Sequence, residues 1–176
     1  MHDDEWNDGA FPLAYLVTFR CYGTWLHGDA RGSVDVHGKN IYGAPDIASN
    51  SNLESLMKQK MRQTPFLLDT AQRAVVEDAI REVCEYRNYV LKAVNARTNH
   101  VHSVVSAQAK PEPVINAFKS YATRKLRDSH LLTPETRAWS RGGSRRYLWK
   151  PRHVALAIEY VLYGQGDVPF EIDDAD

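Results

Sequence analysis

The sequence has only two cysteines, and none of its apolar runs approaches the roughly 20 residues that a membrane-spanning helix needs. Cys21 and Cys84 form neither a metal-knuckle spacing nor a disulfide framework, which is typical of proteins in a reducing cytosol. The first ten residues are acidic, unlike a basic secretory leader. We therefore expect a soluble cytoplasmic protein that has no membrane partner.

The sequence also lacks a net charge, because 22 basic residues balance 22 acidic ones. The total charge thus gives no reason to expect a polyanionic partner. The 176 residues, 43% of them hydrophobic, are enough for one domain with a sizeable core. We expect a single domain over residues 1–176, with a long loop insertion at about 28–64 and a frayed acidic tail at 171–176.

Apolar periodicity and turn residues predict an alternation of strands and helices. The predicted strands cover 13–20, 89–96, 101–107 and 146–149, and the predicted helices cover 70–86, 113–127 and 154–162, with a short extra helix near 53–62. Asp69 is the predicted N-cap of the first main helix. The second and third strands are close enough along the chain to form an antiparallel hairpin. This order predicts a ferredoxin-like βαββαβ sandwich of the α+β class, with an added C-terminal helix.

Basic residues concentrate between positions 116 and 152, where ten of them stand against two acids. A solvated helix face followed by a basic loop is one interpretation of this block. A nucleic-acid surface is the other, because Trp139, Tyr147 and Trp149 add aromatic rings that can stack on bases. On the second interpretation we predict that five residues contact DNA: Lys119, Arg124, Arg141, Arg145 and Arg146.

His100 and His102 are two residues apart in a predicted strand, so the strand period places both imidazoles on one face. Two neutral imidazoles can bind a divalent metal ion. Two half-exposed histidines without a ligand are the alternative. The C-terminal helix supplies a carboxylate, a phenol and, just beyond it, an amide, in Glu159, Tyr160 and Gln165. Tyr160 is either a nucleophile or a core aromatic of that helix.

Several short motifs, taken in order, resemble the single-tyrosine HUH transposases of the smallest insertion sequences and the related REP-associated tyrosine transposases. The resemblance extends from about residue 13 to 170. The motifs are TFRCYGTWL at 18–26, NHVH at 99–102, KSYATRKL at 119–126, RGGS at 141–144 with YLW at 147–149, and EYV at 159–161 with QG at 165–166.

The resemblance implies a ferredoxin-like nuclease in which His100 and His102 bind Mg²⁺ or Mn²⁺ and a tyrosine attacks a DNA phosphodiester. Tyr160 matches the nucleophile position, ahead of Tyr163 and Tyr121. The implied activity is cleavage and transfer of single-stranded DNA, with hairpin or repeat ends, through a 5′-phosphotyrosine intermediate. Some members exchange tyrosine helices within a homodimer and others act as monomers, so the resemblance leaves the oligomeric state open.

The third metal ligand departs from the family pattern. Many members carry Gln or Asn four residues after the nucleophile, where this chain has Gly164. The nearest amide is Gln165, and one further residue turns a regular helix by about 100°. We expect Gln165 to bind the metal if the helix ends or unwinds at Gly164. Glu159 or a water molecule is the alternative ligand.

Two functions follow from this resemblance. The first is a DNA strand transferase, which the intact His100, Tyr160 and Lys119 positions favour. The second is a domesticated module that binds a DNA hairpin without cutting it. An unrelated hydrolase of small phosphoesters is disfavoured, because no carboxylate cluster accompanies the histidines.

Overall fold

A four-stranded antiparallel sheet organises the part of the chain that the structure describes. The structure is a computed structural model, and it describes residues 11–24, 51–164 and 170–172. In chain order its elements are β1 (Ala14–Arg20), α1 (Ser51–Lys60), α2 (Thr70–Arg87), β2 (Val90–Ala96), β3 (His100–Ser106), α3 (Pro111–Asp128), β4 (Ser144–Leu148) and α4 (Pro151–Tyr163). The predicted order of strands and helices is confirmed.

The strands lie side by side in the order β2-β3-β1-β4. β1 pairs antiparallel with β3 and with β4, and β2 pairs antiparallel with β3. The connection from β1 through α2 to β2 therefore leaves room for β3 between the two strands that it joins. This is the split βαβ arrangement, and the predicted ferredoxin-like α+β fold is confirmed.

Side chains of the central strand β1 enter two separate cores. Tyr15, Val17 and Phe19 pack with α2 and α3 on one face of the sheet. Ala14 and Leu16 pack with α4 on the other face. A strand that is buried on both faces needs an almost continuous apolar run, which explains the sequence of β1. The C-terminal helix is therefore a full layer of the domain.

Local capping signals set both ends of α2. The Asp69 carboxylate accepts the backbone N–H of Gln72, and the Gln72 side chain accepts the backbone N–H of Asp69. These reciprocal bonds form a capping box, and the predicted N-cap is confirmed. Asn88 ends the helix in the left-handed conformation, at φ 56° and ψ 35°, which asparagine tolerates better than most residues.

The predicted insertion and tail are only partly described. Residues 25–50, most of the predicted insertion at 28–64, lie outside the described residues. The remainder includes α1, which matches the predicted short helix and buries no residue. The predicted frayed tail needs correction at Ile172, whose apolar side chain is 7% exposed and belongs to the core under α4. Residues 173–176 lie outside the described residues.

Within the described ranges, no helix is both long enough and apolar enough to cross a membrane.

The loop before β4 passes so close to β1 that position 143 has no room for a side chain. A Cβ at Gly143 would lie 2.7 Å from the Thr18 carbonyl oxygen and 3.3 Å from Cγ2 of Ile115. We expect Gly143→Ala to lower the free energy of unfolding by about 1–3 kcal/mol, because the obstructing atom is backbone. Urea unfolding measures this loss.

The matched control for Gly143→Ala is Ser144→Ala at the next residue, which is exposed. Its stability should stay within about 0.5 kcal/mol of the parent chain. Equal stability of the two variants would show that the close approach is absent.

Candidate active site

A row of polar side chains crosses the face of the sheet that α4 covers. Thr18 pairs with His102 on one side and with Ser144 on the other. His102 in turn pairs with Asn95. Directly opposed residues of antiparallel strands project from the same face, so the four side chains form one row. His100, two residues before His102, lies on this face as predicted.

The two imidazoles contact each other edge to face and are held by neighbouring side chains. Their ring centroids are 4.4 Å apart, and the residues are 5% and 8% exposed. Nδ1 of His100 lies 2.6 Å from Oδ1 of Asn99, and Nδ1 of His102 lies 2.7 Å from Oγ1 of Thr18. Because an amide oxygen only accepts, Nδ1 of His100 carries a proton, and Nε2 is the nitrogen that bears the lone pair in the neutral imidazole. Side-chain partners of this kind orient imidazoles that bind metal ions.

His102 is a neutral imidazole at neutral pH. Burial, followed by the influence of His100, Arg20 and Arg97, lowers the pKa of His102 to about 3. Neutral imidazole is the form that donates a lone pair to a metal ion. The two arginines also give the site positive charge, which favours the approach of a phosphodiester.

α4 places the Tyr160 phenol beside these imidazoles. The Tyr160 ring centroid lies 5.3 Å from that of His102 and 5.2 Å from that of Phe170. Ala157 and Val161 are fully buried against the sheet and fix the face that the helix turns inward. Tyr160 itself is half-buried, so the phenol is not sealed in the core. One chain thus brings both imidazoles and the phenol together.

Two polar side chains of the β2 region hold the C-terminal end of α4. Nδ2 of Asn95 donates to the Val161 carbonyl at 2.9 Å, and the Arg97 guanidinium donates to the Gly164 carbonyl. Carbonyls at a helix C-terminus carry partial negative charge and lack partners within the helix. Because Asn95 pairs with His102 across the strands, the first bond fixes the turn that carries Tyr160 relative to that imidazole.

A protein-family model described as "Transposase IS200 like" matches residues 49–161. The match spans more than half of the 176 residues and includes His100, His102 and Tyr160. This chain belongs to the IS200-like transposase family. The predicted family and the predicted activity, a DNA transposase, are confirmed.

Two solved structures resemble the transposase weakly. One is a candidate transposase from Deinococcus radiodurans R1, with 13% identity, a TM-score of 0.44, and coverage of 88% of this chain and 92% of that one. The other is a REP-associated tyrosine transposase bound to a REP hairpin, with 10% identity, a TM-score of 0.44, and coverage of 84% of this chain and 63% of that one. No curated protein matches the sequence. TM-scores below 0.5 say nothing about how this transposase acts.

The three tyrosines predicted as nucleophiles occupy different surroundings. Tyr160 is in ring contact with His102. Tyr163, on the same helix, is 73% exposed. Tyr121 lies on α3, which covers the opposite face of the sheet, and its ring contacts that of Tyr86 at 6.5 Å. The geometry therefore favours Tyr160 over the other two.

α4 ends at Tyr163, as the prediction of Gln165 as the third metal ligand requires. Gly164 caps α4 in an extended conformation, at φ −62° and ψ 138°. A Cβ at this residue would collide with the Tyr160 carbonyl oxygen. Gln165 itself lies outside the described residues, and Glu159 is exposed. Over the described ranges there is no group of three or more His, Cys, Asp or Glu side chains that could hold a metal ion. The described residues thus offer two ligands that fit a divalent ion, His100 and His102.

Two of the predicted DNA-contacting residues lie on opposite faces of β4. Arg146 lies on the α4 face, where its guanidinium is 5.7 Å from the Phe170 ring centroid and donates to the Phe170 carbonyl. Phe170 contacts Tyr160, so Arg146 is one side chain away from the phenol. Arg145 lies on the other face and pairs with Glu112 at 2.9 Å.

The other three predicted DNA-contacting residues lie on α3 and in the loop after it. The Lys119 ammonium donates to the carbonyls of Ser140, at 2.8 Å, and Gly142, and burial lowers its pKa to about 8. Lys119 therefore fastens the loop that precedes β4. Arg124 is exposed and lies 4.5 Å from the Tyr121 ring centroid, and Arg141 is exposed in the loop. DNA binding by all five basic residues stays a prediction.

Trp139 is not available for base stacking, and that prediction is wrong. The residue is 6% exposed, and its ring contacts Phe19 with centroids 5.0 Å apart. Its indole N–H donates to the Thr123 hydroxyl at 3.0 Å. An apolar ring with one satisfied donor is stable in a core, which explains the burial.

Sequence analysis did not identify four residues that shape the site: Thr18, Asn95, Arg97 and Asn99. Asn99 adjoins His100 in the NHVH motif, so its place in the sequence could have indicated a role beside that imidazole. Thr18 and Asn95 reach His102 through strand pairing, which no local motif encodes.

Proposed function

We propose that this transposase cleaves single-stranded DNA at hairpin or repeat ends and transfers the strand through a 5′-phosphotyrosine at Tyr160. The observation that carries the proposal is the 5.3 Å contact between the rings of Tyr160 and His102. His100 completes the cluster, with its ring 4.4 Å from that of His102. All three groups come from one chain, so the proposed reaction requires no residue from a second subunit.

His100 and His102 would hold a divalent ion, Mg²⁺ or Mn²⁺, with Gln165 as the proposed third ligand. When bound, such an ion would supply Lewis-acid polarisation of the scissile phosphate. Asn99 and Thr18 keep both imidazoles oriented through their Nδ1 atoms. The lowered pKa of His102 keeps this imidazole neutral, so protons do not compete for the ligand atom near neutral pH.

The Tyr160 oxygen attacks the phosphorus atom in line with the departing 3′ oxygen. The bond between phosphorus and the phenol oxygen forms, the bond to the 3′ oxygen breaks, and the leaving strand ends in a 3′-hydroxyl. A phenol has a reference pKa of ~10, so its proton must pass to water or another base as the oxygen attacks.

Cleavage exchanges the bond between phosphorus and the 3′ oxygen for a bond between phosphorus and the Tyr160 oxygen. The phosphotyrosine is therefore still a phosphodiester. Attack by the 3′-hydroxyl of another strand reverses the first step and releases Tyr160. Joining of strands therefore needs no external energy source. Arg146 lies close to Phe170 on the same face, which supports a role for its guanidinium in contacting phosphates next to the phenol.

The proposal is tested by incubating the purified chain with Mn²⁺ and single-stranded hairpin oligonucleotides labelled at either end. We expect a denaturation-resistant adduct that carries only the label 3′ of the cut, while the 5′ fragment is released with a free 3′-hydroxyl. A chelator should prevent both products.

A different outcome would support the hairpin-binding alternative. In that case the chain binds the hairpin with steep salt dependence but forms no adduct with Mn²⁺ or Mg²⁺. An adduct that carries the 5′ label would contradict the proposed polarity of attack.

A further inference from the structure

We propose that Tyr147 and Trp149 form a platform on which unpaired bases of the single-stranded DNA substrate stack. We call these two side chains the aromatic platform. The choice of DNA as the ligand rests on the proposed function, whereas the platform itself rests on the geometry of β4 and its surroundings.

The two rings of the platform are exposed and nearly parallel. Tyr147 is 44% exposed and Trp149 is 46% exposed. Their ring centroids are 6.3 Å apart with an interplanar angle of 12°. The two residues are two positions apart at the end of a strand, which brings them to one face. Adjacent parallel aromatic faces in contact with solvent are the surfaces on which proteins stack bases of single strands.

The platform is fixed from beneath. The Tyr147 ring contacts that of Tyr15 edge to face, with centroids 5.1 Å apart and an angle of 79°. Tyr15 is buried at 1% exposure, and its hydroxyl donates to the Ala109 carbonyl at 3.0 Å. The ring that receives a base is thus already ordered, which reduces the entropy lost on binding.

The segment that carries the platform is rich in basic residues, and the Glu112 carboxylate on the same face is paired with Arg145 at 2.9 Å. Arg146 and Lys150 adjoin its two residues in the sequence, Arg152 follows, and no acidic residue occurs from 136 to 158. β4 lies at the edge of the sheet, and Arg146 extends from its other face toward Phe170 and the phenol. A single strand held at Tyr160 would therefore meet basic side chains on its way around this edge to the platform.

These observations favour an unpaired DNA strand over two other occupants. A duplex hides the faces of its bases within the stack, so it offers little to an exposed aromatic ring. A second copy of this chain, docked symmetrically at the same patch, would bring Lys150 and Arg152, which follow Trp149 and are exposed, close to their own counterparts. Like charges at such a contact oppose association.

The test compares two oligonucleotides with equal numbers of phosphates, oligothymidine and its abasic analogue. Binding is measured in chelator so that no cleavage intervenes. We expect Trp149→Ala to weaken binding of oligothymidine about tenfold, the loss of roughly one stacked base. Binding of the abasic strand should stay unchanged, and Trp149→Phe should restore most of the lost affinity. Tyr163→Ala removes an exposed tyrosine from α4 and should leave both affinities unchanged.

Three results would overturn the platform. The first is equal binding of the two oligonucleotides by the unmodified chain, which needs no variant and so does not depend on folding. The second is an equal loss for both oligonucleotides in Trp149→Ala, which would assign the effect to charge or to folding. The third is a dimer that dissociates in Trp149→Ala while oligothymidine binding stays the same, which would assign the patch to a second copy.

The two proposals fail separately. Base-dependent binding through Trp149 without any adduct would retain the platform and remove the proposed cleavage. If the chain formed the adduct but bound oligothymidine and its abasic analogue equally well, the proposed cleavage would be retained and the platform would be removed.

Discussion

Tyr160→Phe should abolish the covalent DNA adduct and leave the fold and DNA binding intact. The substitution removes one oxygen atom, the proposed nucleophile, and keeps the ring that contacts His102 and Phe170. Loss of a nucleophile typically lowers a reaction rate by at least about 10³-fold. Denaturing gels of the Mn²⁺ reaction measure the adduct, and binding in chelator measures the affinity that should persist.

Tyr163→Phe is the matched control, because it makes the same chemical change on the same helix. Tyr163 is 73% exposed, and its variant should form the adduct at the rate of the parent chain. If the adduct persisted in Tyr160→Phe and disappeared in Tyr163→Phe, the nucleophile would be Tyr163, and the ring contact with His102 would have no role in the chemistry.

His102→Ala should lower metal-dependent cleavage by at least about 100-fold, because it removes one of the two proposed imidazole ligands. It also leaves the Thr18 hydroxyl without the imidazole nitrogen that lies 2.7 Å from it. Calorimetric titration with Mn²⁺ should show weaker binding, and the adduct assay should show the loss of rate. Circular dichroism checks that the sheet survives the substitution.

His130→Asn provides the comparison for the histidine experiment. His130 is exposed and has φ 58°, a conformation that asparagine accepts. Its substitution should change neither Mn²⁺ affinity nor cleavage. Full metal-dependent cleavage by His102→Ala would remove the imidazole pair from the mechanism.

The sequence predicted the fold because its signals are local. Asp69 and Gln72 form a capping box that is visible as two residues three positions apart, and β1 is visible as a short apolar run. The two imidazoles share a face because a strand alternates with period two. Each of these properties depends on neighbours along the chain alone.

The partners of His102 were not predictable in this way. β2 contains an irregularity between Leu91 and Ala93 that shifts its register with β3. Leu91 packs on the α2 and α3 side of the sheet, whereas Ala93 packs on the α4 side. In a regular strand Asn95 would lie on the same face as Leu91, which is the face opposite to α4. An extra residue reverses the face of everything that follows it, and a single sequence does not reveal where it lies.

The basic block shows the opposite difficulty. Its members are close in sequence but follow α3, a loop and β4, whose periods differ. Lys119 therefore turns inward to backbone carbonyls, while Arg145 and Arg146 leave opposite faces of one strand. A run of basic residues in the sequence does not show that their side chains share a surface. The fold decides on which surface each side chain lies.

The bonds from Asn95 and Arg97 to α4 define the alignment of that helix along its own axis. Apolar packing alone resists sliding weakly, since it has little directional preference, whereas a hydrogen bond weakens steeply when its angle changes. Displacement of α4 by one turn would carry the phenol about 5.4 Å along the sheet and leave both donors facing the wrong carbonyls. The two bonds therefore hold the helix at one position along its axis, and with it the hydroxyl of Tyr160, the proposed nucleophile.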